Sequence, residues 1–143
     1  MNDYLNVIRH HYADFRGRAR RREYWMFTLF NVVITLLLEL PLLFSSIGAA
    51  VNGQEDWAPS GLALLSLVLL VLYTLFILVP SLAVSIRRLH DTGRSGWWYL
   101  INFVPFVGGL VFFIFTVLDS EPGANRWGPN PKGMQMQGAA ANW

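Results

Sequence analysis

The chain contains no cysteine, and only 14% of its 143 residues are charged. The absence of cysteine excludes disulfides, thiolate nucleophiles and cysteine-ligated metal sites. The sequence also shows no paired carboxylates, no Ser-His-Asp set and no spacing typical of metal ligands. We therefore predict neither a metal nor a cofactor, and no motif indicates a particular reaction.

Apolar residues are abundant instead. Hydrophobic residues make up 54% of the chain and aromatic residues 15%, which is more than a small soluble core needs. They fall into three blocks, 24–47, 62–86 and 97–118. At about 1.5 Å per helical residue, each block can cross the roughly 30 Å hydrocarbon core of a bilayer. We therefore predict an all-α integral membrane protein with three transmembrane helices in a small bundle, built as one domain over residues 1–132.

The third block is interrupted by Pro105, Gly108 and Gly109. These residues are compatible with a kinked single helix or with a re-entrant hairpin. We favour the single crossing, because the 22 residues suit one passage through the bilayer and are few for two. The end of the chain, 133–143, contains small residues and glutamines and is expected to be disordered.

Residues 2–15 carry apolar side chains at helical spacing, so we predict an amphipathic N-terminal helix that ends at Gly17. Such a helix can lie in the headgroup plane or pack against the rest of the protein.

Two segments concentrate the positive charge, FRGRARRREYW at 15–25 and RRLHDTGRSGWW at 87–98. Both end in aromatic residues of the kind found at membrane interfaces. Six arginines precede the first block and three lie in the second segment, whereas the first loop has none and the tail has Arg126 and Lys132. The positive-inside rule therefore predicts a cytoplasmic N-terminus, and three crossings would place the C-terminus outside.

The second basic segment, which we call the hinge, predicts a specific local structure. If the preceding helix continues into it, Asp91 can pair with Arg87 or Arg88, four and three residues earlier. Gly93 would end that helix, and Ser95 would cap the next one.

The hinge also predicts binding of anions, because guanidinium groups and turn amides suit phosphate oxygens. We predict that both basic segments form one surface for anionic lipid headgroups. Its members are Arg18, Arg20, Arg21, Arg22, Arg87, Arg88, His90 and Arg94.

Three polar residues within the apolar blocks, Asn31, Ser81 and Asn102, lie at similar distances from the predicted cytoplasmic edge. Each is about 8–9 Å deep at about 1.5 Å per residue. We predict an intramembrane polar layer in which Asn31 and Asn102 form a hydrogen bond.

A third motif, PGANRWGPNP at 122–131, follows the last block. Together with the two basic segments it resembles the family known as domain of unknown function 805 (DUF805). The resemblance implies a bacterial inner-membrane protein with several spans. It implies no activity and no catalytic residues.

For the function, we favour a structural or interaction module whose basic cytoplasmic face binds anionic lipid headgroups or a partner, such as a membrane protein or a second copy of the chain. We expect no nucleic-acid binding, since the charge adjoins apolar segments. Two alternatives stay open. One is a small transporter or channel component, and the other is an enzyme on a lipid-linked phosphate with His90 as general acid or base.

Overall fold

The computed structural model describes residues 2–54 and 58–133. Within these ranges the regular structure is helical, which confirms the all-α class. The elements are α1 (Asn2–His10), α2 (Arg21–Val51), α3 (Gly61–Asp91), a 3-10 helix (Gly96–Phe103) and α4 (Gly108–Val117). The predicted tail lies outside the described residues from position 134 onward.

The N-terminal helix is shorter than predicted. It ends at His10, so the prediction of a helix over 2–15 with its end at Gly17 is wrong. After His10 the carboxylate of Asp14 accepts hydrogen bonds from His11 Nδ1, at 2.9 Å, and from the backbone N–H of Arg16, at 3.0 Å. Bonds of this kind stabilise a turn at the expense of continued helix.

α2 and α3 are both 31 residues long, and both are long and apolar enough to cross a membrane. They contain the predicted spans 24–47 and 62–86, and each helix continues through an internal proline, Pro41 or Pro80. At about 1.5 Å per residue each helix is about 46 Å long, which exceeds the roughly 30 Å hydrocarbon core. The ends of both helices can therefore extend beyond the apolar layer.

The chain divides into two compact units. The first, Leu29–Leu78, holds α2 from Leu29 to its end and α3 from its start to Leu78, and we call it the apolar unit. Its buried residues include Ala49, Ala63 and Ser66, whereas most of its large apolar side chains are exposed. An exposed apolar surface of this extent is typical of a face that contacts lipid or a partner.

The second unit, which we call the motif unit, combines the residues up to Thr28 with those from Val79 onward. It contains all three sequence motifs. Its buried apolar residues include Ala19, Phe27, Val84 and Leu89.

The segment 97–118 belongs to the motif unit and folds as two short helices. The 3-10 helix ends at Phe103, and α4 begins at Gly108. The two pack against each other, with Tyr99 edge-on to Phe112 at 5.5 Å between ring centroids. The prediction of one kinked helix is therefore wrong, and the hairpin alternative describes the segment. Neither helix is long enough to cross a bilayer alone.

Backbone geometry explains why this segment closes as a hairpin. A Cβ atom on Gly108 would lie 1.8 Å from the carbonyl oxygen of Ile101, so only glycine allows this close approach. In the intervening turn Phe106 has a φ of 66°, which is rare for a residue with a side chain. The predicted helix breakers thus reverse the chain rather than bend a helix.

Candidate functional site

The hinge adopts the local structure that the sequence predicts. α3 ends at Asp91, and Gly93 follows with a φ of 76°. The backbone N–H groups of Gly93 and Arg94 donate to the carbonyls of His90 and Leu89, which closes the last helical turn. Ser95 then caps the 3-10 helix by accepting a hydrogen bond from the backbone N–H of Trp97 at 3.4 Å.

The carboxylate of Asp91 is the centre of the site, and it is fully buried. It accepts hydrogen bonds from Arg18 Nε at 3.0 Å and from Ser120 Oγ at 2.6 Å. It also forms an ion pair with Arg88, three residues earlier, which confirms one of the two predicted pairings. We call Arg18, Arg88, Asp91 and Ser120 the Asp91 cluster.

Arg87, the other predicted partner of Asp91, forms an ion pair with Glu23 instead. Arg87 Nη2 lies 2.9 Å from Glu23 Oε1, and Arg87 is 3% exposed. The two atoms are close enough for charge attraction but lack the geometry of a hydrogen bond.

Arg18 links the loop before α2 to the tail. Its Nη1 donates to the carbonyl of Gly123 at 2.8 Å, and its Nη2 donates to the carbonyls of Glu121, at 2.7 Å, and Asp91, at 3.2 Å. A guanidinium carries five N–H donors in a fixed plane, and here they point at acceptors of the protein. Arg18 is therefore committed to internal contacts.

Arg88 is fully buried and is held in the same manner. Its Nε donates to the carbonyl of Thr116 at 3.1 Å, its Nη1 to that of Ala19 at 3.4 Å, and its Nη2 to that of Leu118. Two guanidinium groups share one carboxylate in the Asp91 cluster, so backbone carbonyls supply the remaining negative partial charge. Without these acceptors, burial of the second cation would be strongly unfavourable.

The tail completes the arrangement. The backbone N–H of Glu121 donates to the carbonyl of Asp91 at 2.8 Å, and Asn125 Nδ2 donates to that of His90 at 3.0 Å. The His90 ring stacks on Trp127, with 4.5 Å between centroids and 11° between planes. All three motifs therefore meet at one place. No sequence pattern predicts that Arg18 and Ser120 bind the Asp91 carboxylate, because these two residues lie 73 and 29 positions from Asp91.

The predicted anion surface is only partly available. The two basic segments do come together, but Arg18, Arg87 and Arg88 are buried in internal contacts. Arg94 donates from Nη1 to the carbonyl of Thr92 at 3.1 Å, and its guanidinium lies 4.2 Å from the Phe115 ring centroid. The remaining arginines of the set are Arg20, which is half-buried, and Arg21 and Arg22, which are exposed.

His90, which lies beyond the apolar run 62–86, adjoins a cavity of about 440 Å³. Its Nδ1 is 3.3 Å from the carbonyl oxygen of Gly17, and since a carbonyl only accepts, Nδ1 is the donor. Burial lowers the pKa of His90 below its ordinary value, so the ring is neutral near pH 7. The cavity is lined by Phe15, Ile86, His90, Ser95, Gly96, Trp97, Tyr99 and Leu100. Sequence reasoning did not anticipate it.

Lys132 and Asp119 lie at the surface of the tail. Lys132 forms an exposed ion pair with Asp119, and this hydrogen bond holds the pKa of that carboxyl below its usual value. Among residues 2–54 and 58–133, no group of three or more His, Asp or Glu side chains is placed to hold a metal ion.

Both amides of the predicted polar layer have a hydrogen-bond partner within their own unit. Asn31 Oδ1 accepts a hydrogen bond from the Tyr73 hydroxyl, and Asn102 Nδ2 donates to the carbonyl of Tyr99 at 2.9 Å. A hydrogen bond between Asn31 and Asn102 stays a prediction. Asn102 lies near the end of the 3-10 helix, and its amide donates to a carbonyl three residues earlier in that helix. A common depth of these two residues and Ser81 in a bilayer stays a prediction.

Known proteins resemble the chain along most of its length. The family described as "Protein of unknown function (DUF805)" matches residues 12–129, a range that includes almost all of the three motifs. Inner membrane protein YhaH of Escherichia coli (strain K12) is 42% identical over 132 residues, which cover 92% of this chain and 98% of that protein. Inner membrane protein YhaI of the same strain is 43% identical over 132 residues, 92% of this chain and 97% of that protein. No solved structure matches.

Proposed function

The chain belongs to the DUF805 family, and from this membership we propose that it is an inner membrane protein whose exposed arginines bind anionic lipid headgroups. Two relatives are named inner membrane proteins, and α2 and α3 are long and apolar enough to cross a membrane. The proposed role is that of a structural module. In it the Asp91 cluster stabilises the fold, and the exposed arginines contact the membrane surface.

The contacts of Arg18 support a topology with two crossings. If α2 and α3 each cross once, the loop before α2 and the hinge after α3 lie on one side of the membrane. Arg18, in that loop, donates to the carbonyls of Glu121 and Gly123, so the tail lies on the same side. The positive-inside rule makes that side cytoplasmic. This topology replaces the predicted third crossing and places both ends of the described chain in the cytoplasm.

The observation that carries the proposal is the exposure of Arg21 and Arg22 at the start of α2, directly before the apolar run 24–47. The Arg22 side chain is 80% exposed and pairs with Asp3 at 2.9 Å. Exposed ion pairs contribute only about 0–1 kcal/mol, so a lipid phosphate can replace this carboxylate at little cost. Each basic residue near an anionic surface contributes about 1 kcal/mol of attraction.

The alternative functions draw less support from the described contacts. A transport path would use polar groups of the apolar unit, yet Asn31 is bonded to Tyr73. An enzyme on a lipid-linked phosphate would need arginines directed at His90, yet Arg87 and Arg88 are directed at Glu23 and Asp91.

Native mass spectrometry tests the proposal, using protein released from nanodiscs that contain equal amounts of phosphatidylglycerol and phosphatidylethanolamine. The substitution Arg21→Gln/Arg22→Gln removes two charges, about 2 kcal/mol, and should weaken retention of phosphatidylglycerol about 25-fold. The matched variant Arg21→Lys/Arg22→Lys keeps both charges and should retain the lipid. Unchanged retention in the glutamine variant, or equal loss in both variants, would refute headgroup binding at these residues.

A further inference from the structure

The hairpin formed by the 3-10 helix and α4, residues 96–117, exposes an apolar surface that headgroup binding by Arg21 and Arg22 does not use. No charged residue occurs between positions 96 and 117. Phe106, in the turn, is fully exposed, and Phe103 beside the turn is 79% exposed. Large apolar side chains are also exposed along both arms, namely Trp97, Trp98, Leu100, Leu110, Phe113 and Ile114. A surface of this kind indicates a face that contacts lipid or another protein.

Contacts with the start of α2 indicate which way the hairpin points. Arg21 Nη1 donates to the carbonyl of Val117 at 3.1 Å, and Trp25 Nε1 donates to that of Thr116 at 3.3 Å. The Trp25 ring also packs edge-on against Phe113, with 5.7 Å between ring centroids. Later residues of α2 therefore lie beside earlier residues of α4, and all of them belong to the motif unit. Followed back from its C-terminal end, α4 thus runs in the direction in which α2 leads from the arginines into its apolar run.

The base of the hairpin carries residues typical of a membrane interface. The guanidinium groups of Arg21 and Arg88 bind carbonyls at the C-terminal end of α4, where cations are favourable. The other arm begins with Trp97 and Trp98 in the first turn of the 3-10 helix. Arginine and tryptophan are both suited to the headgroup level, so the base of the hairpin fits that level.

The length of the hairpin matches one leaflet of a bilayer. α4 has ten residues and is about 15 Å long, at about 1.5 Å per residue. The 3-10 helix has eight residues and is about 16 Å long, at about 2.0 Å per residue. Half of the roughly 30 Å hydrocarbon core is about 15 Å. A hairpin that starts at the interface therefore ends near the bilayer centre and does not reach the opposite surface.

The turn of the hairpin has few polar groups that need water. In lipid, backbone N–H groups require acceptors within the protein. The N–H groups of Val104 and Gly108 donate to the carbonyls of Ile101, at 2.9 Å, and Val104, at 3.0 Å. Pro105 has no N–H group. Asn102 is the only polar residue between positions 100 and 115, and its Nδ2 donates to a backbone carbonyl of the same helix. These bonds lower the free-energy cost of placing the turn in hydrocarbon.

We propose that the hairpin inserts into the cytoplasmic leaflet and contacts lipid acyl chains, with Phe106 near the bilayer centre. This inference rests on the proposed topology, in which α2 and α3 each cross once. Acyl chains would cover the arms and the turn together, and the hairpin carries no charge that needs an oppositely charged partner. The hairpin thus anchors the motif unit in the membrane by apolar contacts, independently of lipid charge.

Electron paramagnetic resonance of single-cysteine variants tests the insertion, because the chain has no cysteine of its own. A nitroxide label is attached at Phe106→Cys in vesicles of phosphatidylcholine, which has no net charge. Oxygen, which concentrates in hydrocarbon, should collide with this label often, and a water-soluble nickel chelate should collide with it rarely. Leu36→Cys is the reference for hydrocarbon, because Leu36 is exposed and lies eleven residues after Trp25, about 16 Å further along α2. Gly133→Cys is the reference for water.

The ratio of oxygen to nickel collisions at position 106 should equal that at position 36 and exceed that at position 133. Nickel collisions as frequent as those at Gly133→Cys would overturn the proposal, because the hairpin would lie in water. Rare collisions with both reagents would overturn it as well, because the label would be enclosed by protein. Phe103→Cys, on the other side of Pro105, repeats the measurement if Phe106→Cys fails to fold.

A third crossing would also place position 106 in hydrocarbon, so sidedness is measured on Gly133→Cys with a membrane-impermeant maleimide. Protection in intact spheroplasts supports insertion from the cytoplasmic side, and labelling there would overturn it. The neutral vesicles contain no anionic headgroup, so the collision ratio at position 106 does not depend on headgroup binding by Arg21 and Arg22. Failure of the hairpin proposal is therefore distinguishable from failure of headgroup binding. A label at Leu36→Cys that lies in water would overturn the crossing of α2, and the hairpin proposal with it.

Discussion

Arg18 and Asp91 form a buried ion pair across 73 residues of sequence, with 3.0 Å between Nε and Oδ1. Their side chains are 1% and 0% exposed. The same carboxylate also serves Arg88 and Ser120, so it compensates two cations at once. The family motifs thus converge on the Asp91 carboxylate. Its removal would leave the buried guanidinium groups of Arg18 and Arg88 without a negatively charged partner.

The substitution Asp91→Asn should lower the free energy of unfolding by about 3–5 kcal/mol, the range for removal of one partner of a buried pair. Denaturant unfolding in detergent micelles measures the change. Asp119→Asn is the control, because Asp119 pairs with Lys132 at the surface and its side chain is 66% exposed. Its unfolding midpoint should equal that of the unsubstituted protein. Similar losses in both variants would show that net charge, and not the Asp91 cluster, stabilises the fold.

Arg18→Lys tests the geometry of the cluster at constant charge. A lysine has one nitrogen and cannot reach the acceptors that Nε, Nη1 and Nη2 of Arg18 reach together. With hydrogen bonds of charged groups at about 1.5–3 kcal/mol each, we expect a loss of at least about 2 kcal/mol in the same unfolding measurement. Arg20→Lys, in the same loop, should be silent. If Arg18→Lys is silent too, the fork geometry is unimportant.

Cysteine labelling tests the topology without background, because the chain has no cysteine. Gly133→Cys should react with a membrane-impermeant maleimide only after the inner membrane is permeabilised, because the tail is expected in the cytoplasm. Gln54→Cys, in the loop between α2 and α3, should react in intact spheroplasts. Labelling of position 133 in intact spheroplasts would instead indicate a third crossing.

Gly108→Ala should disrupt the hairpin. The new Cβ atom would lie 1.8 Å from the carbonyl oxygen of Ile101, so the 3-10 helix and α4 must move apart. We expect a destabilisation of about 1–3 kcal/mol, as for overpacking of a tight contact, visible as a lower melting temperature in detergent. Gly109→Ala adds the same atom to open space and should melt at or above the original temperature. Equal melting of both variants would contradict the close packing at Gly108.

Local features of the fold could be predicted from the sequence because they depend on residues close together in the chain. The ion pair of Arg88 with Asp91 follows from helical spacing, and the roles of Gly93 and Ser95 follow from their preferences at helix ends. The long helices follow from their apolar runs. Arg18 is not related to Asp91 by helical spacing, so their contact could not be predicted from the sequence.

The hairpin and the burial of Arg18 and Arg88 could not be predicted from the sequence, for different reasons. Pro105 and Gly108 permit a kink or a reversal, and only the contact of Gly108 with Ile101 decides between them. Likewise, an arginine beside an apolar run can lie at a membrane surface or in a buried cluster, and the sequence pattern is the same in both cases. For Arg18 and Arg88 the buried acceptors are mainly backbone carbonyls, which every residue provides and no sequence pattern marks.

The separation of Arg18 from its acceptors also constrains how the protein is made. Arg18 is synthesised 73 residues before Asp91 and 103 residues before Glu121. In the proposed topology with two crossings, its charge must therefore stay hydrated while both long helices enter the bilayer. If α2 crosses and α3 does not, Asp91 ends on the opposite side of the membrane from Arg18, and the pair cannot form. In that topology, the Arg18–Asp91 contact makes completion of the fold conditional on correct insertion of both helices. A misinserted chain would keep an unpaired arginine and an unpaired aspartate, which would distinguish it from the finished protein.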